Sequence, residues 1–231
     1  MSKWRVGFGV GVLLLGLAVV ARAIDITACG QTVPSGETGV QQADLSFCGT
    51  GVWLGENATL EMNGHVISDG QFGVRSGARR FHIVGPGEIT RTEYGVYQVA
   101  DRLRVSTIDG LNIHDNEDWG IQLGGNLALT NSTVNANGFG EPPGQSYGVS
   151  ANAVRATNVT VTGNAGVGVF SYRAPKFTNS AITGNNGFDL GIDVWCPHRP
   201  RLIGTTCGKS AGRHEATTGP PGDPWDVCAN D

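Results

Sequence analysis

Residues 108–121 read Ile108-Asp109-Gly110-Leu111-Asn112-Ile113-His114-Asp115-Asn116-Glu117-Asp118-Trp119-Gly120-Ile121, and this run carries two patterns at once. Its first nine residues place a Gly or Asn at the third position, a branched residue at the sixth and Asn at the ninth. The same frame recurs at Leu129 to Asn137, Ala156 to Asn164 and Phe177 to Asn185. Its end is an aromatic, a Gly and a branched residue, which recur as Phe72-Gly73-Val74, Tyr94-Gly95-Val96, Tyr147-Gly148-Val149 and Val167-Gly168-Val169, with an echo at Phe188-Asp189-Leu190. The steps between central residues are 22, 25, 28, 20 and 21, the period of a solenoid.

The inner position is Gly110, Asn131, Asn158 or Asn179. Gly and Asn tolerate a left-handed backbone, so one of them at a fixed place in every unit marks a tight bend between short strands. The units are rich in Val, Ile, Thr, Gly and Asn and alternate with period two. A leucine-rich repeat would need a Leu-dominated motif and a helix instead. The expectation is an all-β parallel β-helix of about seven coils stacked at about 4.8 Å. Val74, Val96, Ile121, Val149, Val169 and Leu190 should form one inward row, and Ile113, Val134, Val161 and Ile182 another, with the Asn side chains bonding along the stack.

Composition agrees. The chain has 231 residues, 36 of them Gly, with 39% hydrophobic and 16% charged residues. That much Gly argues against a helix bundle, and the low charge argues against a disordered tail. Lys3 and Arg5, the apolar run from Val6 to Val20 and Ala21-Arg22-Ala23 have the form of a secretory signal peptide over 1–23. Removing it leaves 13 basic against 20 acidic residues, a net charge of −7. That balance excludes nucleic acid and anionic membranes as partners and disfavours strongly acidic polymers.

The five cysteines all follow the signal: Cys29 and Cys48 early, Cys196, Cys207 and Cys228 late. In an oxidising compartment they should pair. The expected bonds are Cys29 with Cys48 and Cys196 with Cys228, leaving Cys207 free. The domain plan is then an N-terminal cap over 24–51, the helix over 52–194 and a Pro-rich, disulfide-tied loop cap over 195–231. Gly208-Lys209-Ser210 is no phosphate loop, since the required first Gly is Ile203.

The stretch Ala58-Thr59-Leu60-Glu61-Met62-Asn63-Gly64-His65-Val66-Ile67 is similar to the first-coil motif of exported bacterial right-handed parallel β-helix repeat proteins, within the wider pectin-lyase-like group. Cys29 and Cys48 before it, and Trp195-Cys196 with the late Cys228, resemble the ends of that family. The resemblance implies a right-handed sense and a connection with carbohydrate. His65 reads as a structural residue of the first bend.

Candidate chemistry gathers in His114-Asp115-Asn116-Glu117-Asp118. Asp115, Glu117 and Asp118 are candidate Ca²⁺ ligands, or general acid and base for glycoside cleavage. No other cofactor is implied. Alternation places Arg75, Tyr97, Gln122, Ser150 and Phe170 on the outside of one strand row, with Tyr172 and Asp193 a pleat further on. Tyr97, Gln122, Phe170 and Tyr172 are therefore the candidate substrate-binding residues, since rings on an exposed face suit stacking against sugars. The signatures of polygalacturonases, pectate lyases and alginate epimerases are missing, so whether the chain acts as a polysaccharide lyase or glycoside hydrolase is left open. The expected function is a secreted or periplasmic monomer that binds, or cleaves, a neutral or weakly charged polysaccharide. The alternative is a non-catalytic envelope or surface scaffold.

Overall fold

The computed structural model describes residues 23–100, 104–140, 146–186, 189–192, 199–212 and 227–229. Every regular element in them is a strand, and every pairing is parallel. No helix among the described residues is long and apolar enough to cross a membrane. The expected signal peptide lies, up to Arg22, outside the described residues, as do Phe188, Asp193 and Cys196.

Three sheets run along the stack, and the chain visits them in order. The first includes Thr50–Leu54, Phe72–Ser76, Tyr94–Gln98, the first part of Trp119–Thr130 and of Tyr147–Thr157, Val167–Ser171 and Leu190–Ile192. The last six of these strands carry the expected first row, and Thr50–Leu54 adds one coil beneath it. The second sheet carries the ends of Trp119–Thr130 and Tyr147–Thr157, followed by Lys176–Thr178 and Arg201–Ile203. The third carries Thr133–Asn135, Thr160–Thr162, Ala181–Thr183 and Thr206–Cys207.

Both expected inward rows form. Val52, Val74, Val96, Ile121, Val149, Val169 and Leu190 pair in register through the first sheet. Ile67, Ile89, Ile113, Val134, Val161 and Ile182 do so through the third. All are at most 1% exposed. No single coil could bury these side chains, so the apolar burial belongs to the stack rather than to any unit.

Two columns explain the residues that are not apolar. Gly51, Gly73, Gly95, Gly120, Gly148 and Gly168 stand one above another, and a Cβ on any of them would lie 2.4–2.7 Å from the carbonyl oxygen of the next coil. Gly is therefore required there by contact between coils. Beside it runs a chain of carboxamides: Asn116 Nδ2 donates to Asn137 Oδ1 (2.8 Å), Asn137 to Asn164 (2.9 Å), Asn164 to Asn185 (2.8 Å) and Asn185 to Asp189 (2.9 Å). The oxygens of Asn137, Asn164 and Asn185 each also accept a backbone N–H from the coil below, and the chain ends in a local bond in which the Asp189 carboxylate accepts the Asn185 backbone N–H four residues away. The bend residues Gly110, Asn131, Asn158 and Asn179 all have φ between 48° and 72°, as their types require.

The solenoid extends past both expected boundaries. The 24–51 segment is itself wound, with Ile24–Ile26 paired to Thr38–Gln41 and Gln31–Val33 to Thr50–Leu54. At the other end Arg201–Ile203, Thr206–Cys207 and Ser210–Gly212 continue the three sheets. Pro200, directly before Arg201, therefore does not end the coil. Leu202 and Cys207 stack over Phe177 and Ile182, extending the inward rows by one level.

Cys29 and Cys48 are bonded, as expected. The second disulfide is a correction: Cys228 joins Cys207, not Cys196. The reason is register. Pairing with Ile182 places Cys207, 4% exposed, next in the inward row of the third sheet. There Ala229 N–H donates to the Cys207 carbonyl, and Val227 and Cys228 pack on the core.

Candidate functional site

On the outside of the first sheet the strands do not alternate simply. Phe72 and Arg75 both face outward while Gly73 and Val74 face the core, since a Cβ on Gly73 would strike the Ile89 side chain. The repeated aromatic thus lies on the outer side of the sheet at Phe72, Tyr94, Trp119 and Tyr147. Phe72 and Tyr94 stack at 5.3 Å, Tyr94 meets Trp119 edge-on at 6.1 Å, and Trp119 meets Tyr147 edge-on at 5.2 Å. The stripe continues through Phe170 to Tyr172. Alternation alone missed Phe72, Tyr94, Trp119 and Tyr147 as outward residues. The Gly following each aromatic was the available signal for the change of face.

The expected row of Arg75, Tyr97, Gln122, Ser150 and Phe170 lines up in register, with Trp53 below it. Tyr97 packs against Phe72 and Tyr94, each at 5.2 Å. Tyr97, Gln122 and Tyr172 are half-buried. Phe170 corrects the sequence reading: it is 0% exposed, enclosed with Tyr147 and Val167 in a small apolar cluster against which Trp119 and Tyr172 pack. The accessible part of the stripe is consequently its lower half, from Trp53 through Tyr97 to Trp119.

Arg75 is the cation of that half. Its guanidinium carbon lies 4.4 Å from the Phe72 ring centre, 4.8 Å from Trp53 and 5.9 Å from Tyr97, distances at which ring quadrupoles attract a cation. Its Nε is buried without a hydrogen-bond partner. Nearby, the Tyr94 hydroxyl is pushed up to about 12, first by burial and then by the charge and hydrogen bond of Asp118. It therefore stays a neutral donor throughout the physiological range.

Asp115, Glu117 and Asp118 do not face one another. Asp115 Oδ2 bonds His114 Nδ1 at 2.6 Å, Glu117 lies along the backbone of Gly140, and Asp118 turns to Tyr94. Asn116, between them, points inward to the carboxamide chain. Among the described residues no three His, Cys, Asp or Glu side chains are grouped to hold a metal ion.

His114 joins two carboxylates, through Nδ1 to Asp115 and through Nε2 to Glu88 Oε1, both at 2.6 Å. Its burial opposes protonation, but the hydrogen bonds to Asp115 and Glu88 outweigh that cost and raise its pKa. Asp69, one coil below Arg91 on the same corner, is held at about 2 by the two hydrogen bonds from the Arg91 guanidinium and by Ser68. His65 bonds Asp44 Oδ1 at 3.1 Å, and the same oxygen accepts the Val66 N–H, so it ties two coils together at a bend.

The family model described as a right-handed beta helix region matches residues 24–187. No curated protein and no solved structure matches the chain.

Proposed function

The chain belongs to the right-handed β-helix family, and from that premise we propose that it is an exported protein binding a neutral or weakly charged polysaccharide along the outer face of its first sheet. The observation carrying this reading is the half-buried run of Trp53, Arg75, Tyr97, Tyr94 and Trp119 on successive coils. Rings held at the spacing of neighbouring strands, about 4.8 Å, offer flat apolar surfaces at a repeat close to that of a sugar chain, and aromatic faces suit such ligands. Tyr94 and Gln122 supply polar groups beside them. Two disulfides support folding in an oxidising compartment, as export requires. Cleavage would need two carboxyl groups facing one glycosidic bond, and the separate partners of Asp115, Glu117 and Asp118 favour binding over hydrolysis.

A stiff scaffold is the second reading. It is favoured by the burial of Tyr147 (3%) and Phe170 (0%), where the stripe packs like a core. A glycan array combined with an assay for reducing-sugar release, with and without Ca²⁺, separates the two. Binding that falls about fivefold or more in Trp53→Ala or Tyr97→Ala, the loss expected for a stacking ring worth at least about 1 kcal/mol, supports the first. An array with no positive glycan leaves the scaffold.

A further inference from the structure

A second surface differs in kind from the aromatic stripe. Where the first sheet turns into the second near the C-terminal end, a cavity of about 600 Å³ is lined by Arg155, Arg173, Lys176, Arg199 and Arg201 together with Asn126, and among the described residues no acidic side chain lines it. Five of the chain's 16 basic residues thus meet in a protein carrying 20 acidic ones.

Three of the five are held in a ladder. Arg155 pairs in register with Lys176, and Lys176 with Arg201. The cations therefore stand on adjacent strands, about 4.8 Å apart at the backbone, and like charges directly opposite one another cost stability. The coils below place Thr107 and Ala128 in the same column, so the fold does not demand a cation there. The neighbouring outward column carries neutral Thr130, Thr157 and Thr178, and Asp109 is occupied by Thr130 and Asn131. Among the described residues none of the five cations forms a salt bridge.

We propose that this cavity is a binding site for a phosphate-class dianion, free or borne as a phosphate ester. The guanidinium forks and the ammonium group offer many donors around one space. A tetrahedral dianion with three or more acceptor oxygens can use several of them together, whereas a single carboxylate satisfies one fork. Occupation would also relieve the repulsion within the ladder. The site is distinct from the proposed glycan stripe, although Arg173 directly follows Tyr172.

The test is calorimetric titration at low ionic strength with pyrophosphate, mannose 6-phosphate and trigalacturonate. Wild type should bind the phosphates, more weakly as salt is added. The triple variant R155Q/K176Q/R201Q should lose roughly tenfold or more of that affinity, with a melting temperature equal to or above that of wild type. These side chains are exposed, so the variant keeps its core. Tyr97→Ala should leave phosphate binding unchanged, which keeps this result independent of the stripe. Binding of mannose 6-phosphate places the group on a sugar, and binding of pyrophosphate alone identifies a free anion. The proposal is overturned if no phosphate binds, if trigalacturonate binds as tightly as pyrophosphate, or if the triple variant binds like wild type.

Discussion

The side-chain amide of Asn116 donates to Asn137 Oδ1 at 2.8 Å, and the Asn116 backbone N–H donates to the same oxygen at 3.1 Å. Both residues are 0% exposed. One side chain thus satisfies two donors of a neighbouring coil, and repetition of that bond from Asn137 to Asn164 and from Asn164 to Asn185 links the coils, with Asn116, Asn137 and Asn164 inside a core where water cannot substitute.

Asn137→Ala should therefore cost about 3 kcal/mol or more, because it strips partners from Asn116 and Asn164 and leaves buried groups unpaired. Urea unfolding measures it. Asn158→Gly, at the exposed left-handed bend with φ of 56°, should change stability by only a few tenths of a kcal/mol, since Gly accepts that conformation freely. Equal losses at the two sites would show that the carboxamide chain adds nothing specific.

Gly95→Ala should destabilise by about 2 kcal/mol or more. Its new Cβ would lie 2.4 Å from the Gly120 carbonyl oxygen and 2.9 Å from the Ile113 methyl, both fixed by packing. Gly77→Ala meets nothing within 4 Å and has no positive φ, so it should be neutral or mildly stabilising. A thermal melt of the pair distinguishes contact between coils from a general effect of removing glycine.

Peptide mapping without reduction should recover Cys29 linked to Cys48 and Cys207 linked to Cys228. Removing the first bond by a double Ser substitution should cost about 3 kcal/mol, the chain-entropy estimate for closing a loop of this size. A peptide joining Cys196 to Cys228 would contradict the register that places Cys207 over Ile182.

Two groups set opposite pH limits. His114 has a raised pKa, so its proton is held more tightly in the folded state. Its contribution is complete below its ordinary value of 6.5 and is lost as pH rises through the folded value. Asp69 is depressed to about 2 from 3.8. Its contribution is present above 3.8 and is lost as pH falls toward 2. His82 runs against His114: burial first, then Arg80, lowers its pKa, so protonating it costs stability below 6.5. An NMR titration should find the His114 imidazole titrating above 6.5 and that of His82 below it. His114→Gln should abolish the alkaline part of the stability loss. His114 titrating below His82 would refute the carboxylate clamp.

What the sequence determined by itself was everything that repeats. Val96, Ile121 and Val149 recur because each fills the same place above its counterpart, and Asn131, Asn158 and Asn179 recur because each bend needs a left-handed residue. Such demands are local and identical in every coil, so they are written in the period. Tertiary structure alone decided what depends on how the coils meet. It turned Phe72, Tyr94 and Trp119 to the outer face across a Gly that alternation could not anticipate, and it buried Phe170 that alternation had exposed. It sent Asp115, Glu117 and Asp118 to different partners although they lie within four positions of the chain. It chose Cys207 for Cys228 and brought Arg155, Lys176 and Arg201 together across 46 positions. Each of these follows from stacking, which fixes neighbours by strand register rather than by separation along the chain.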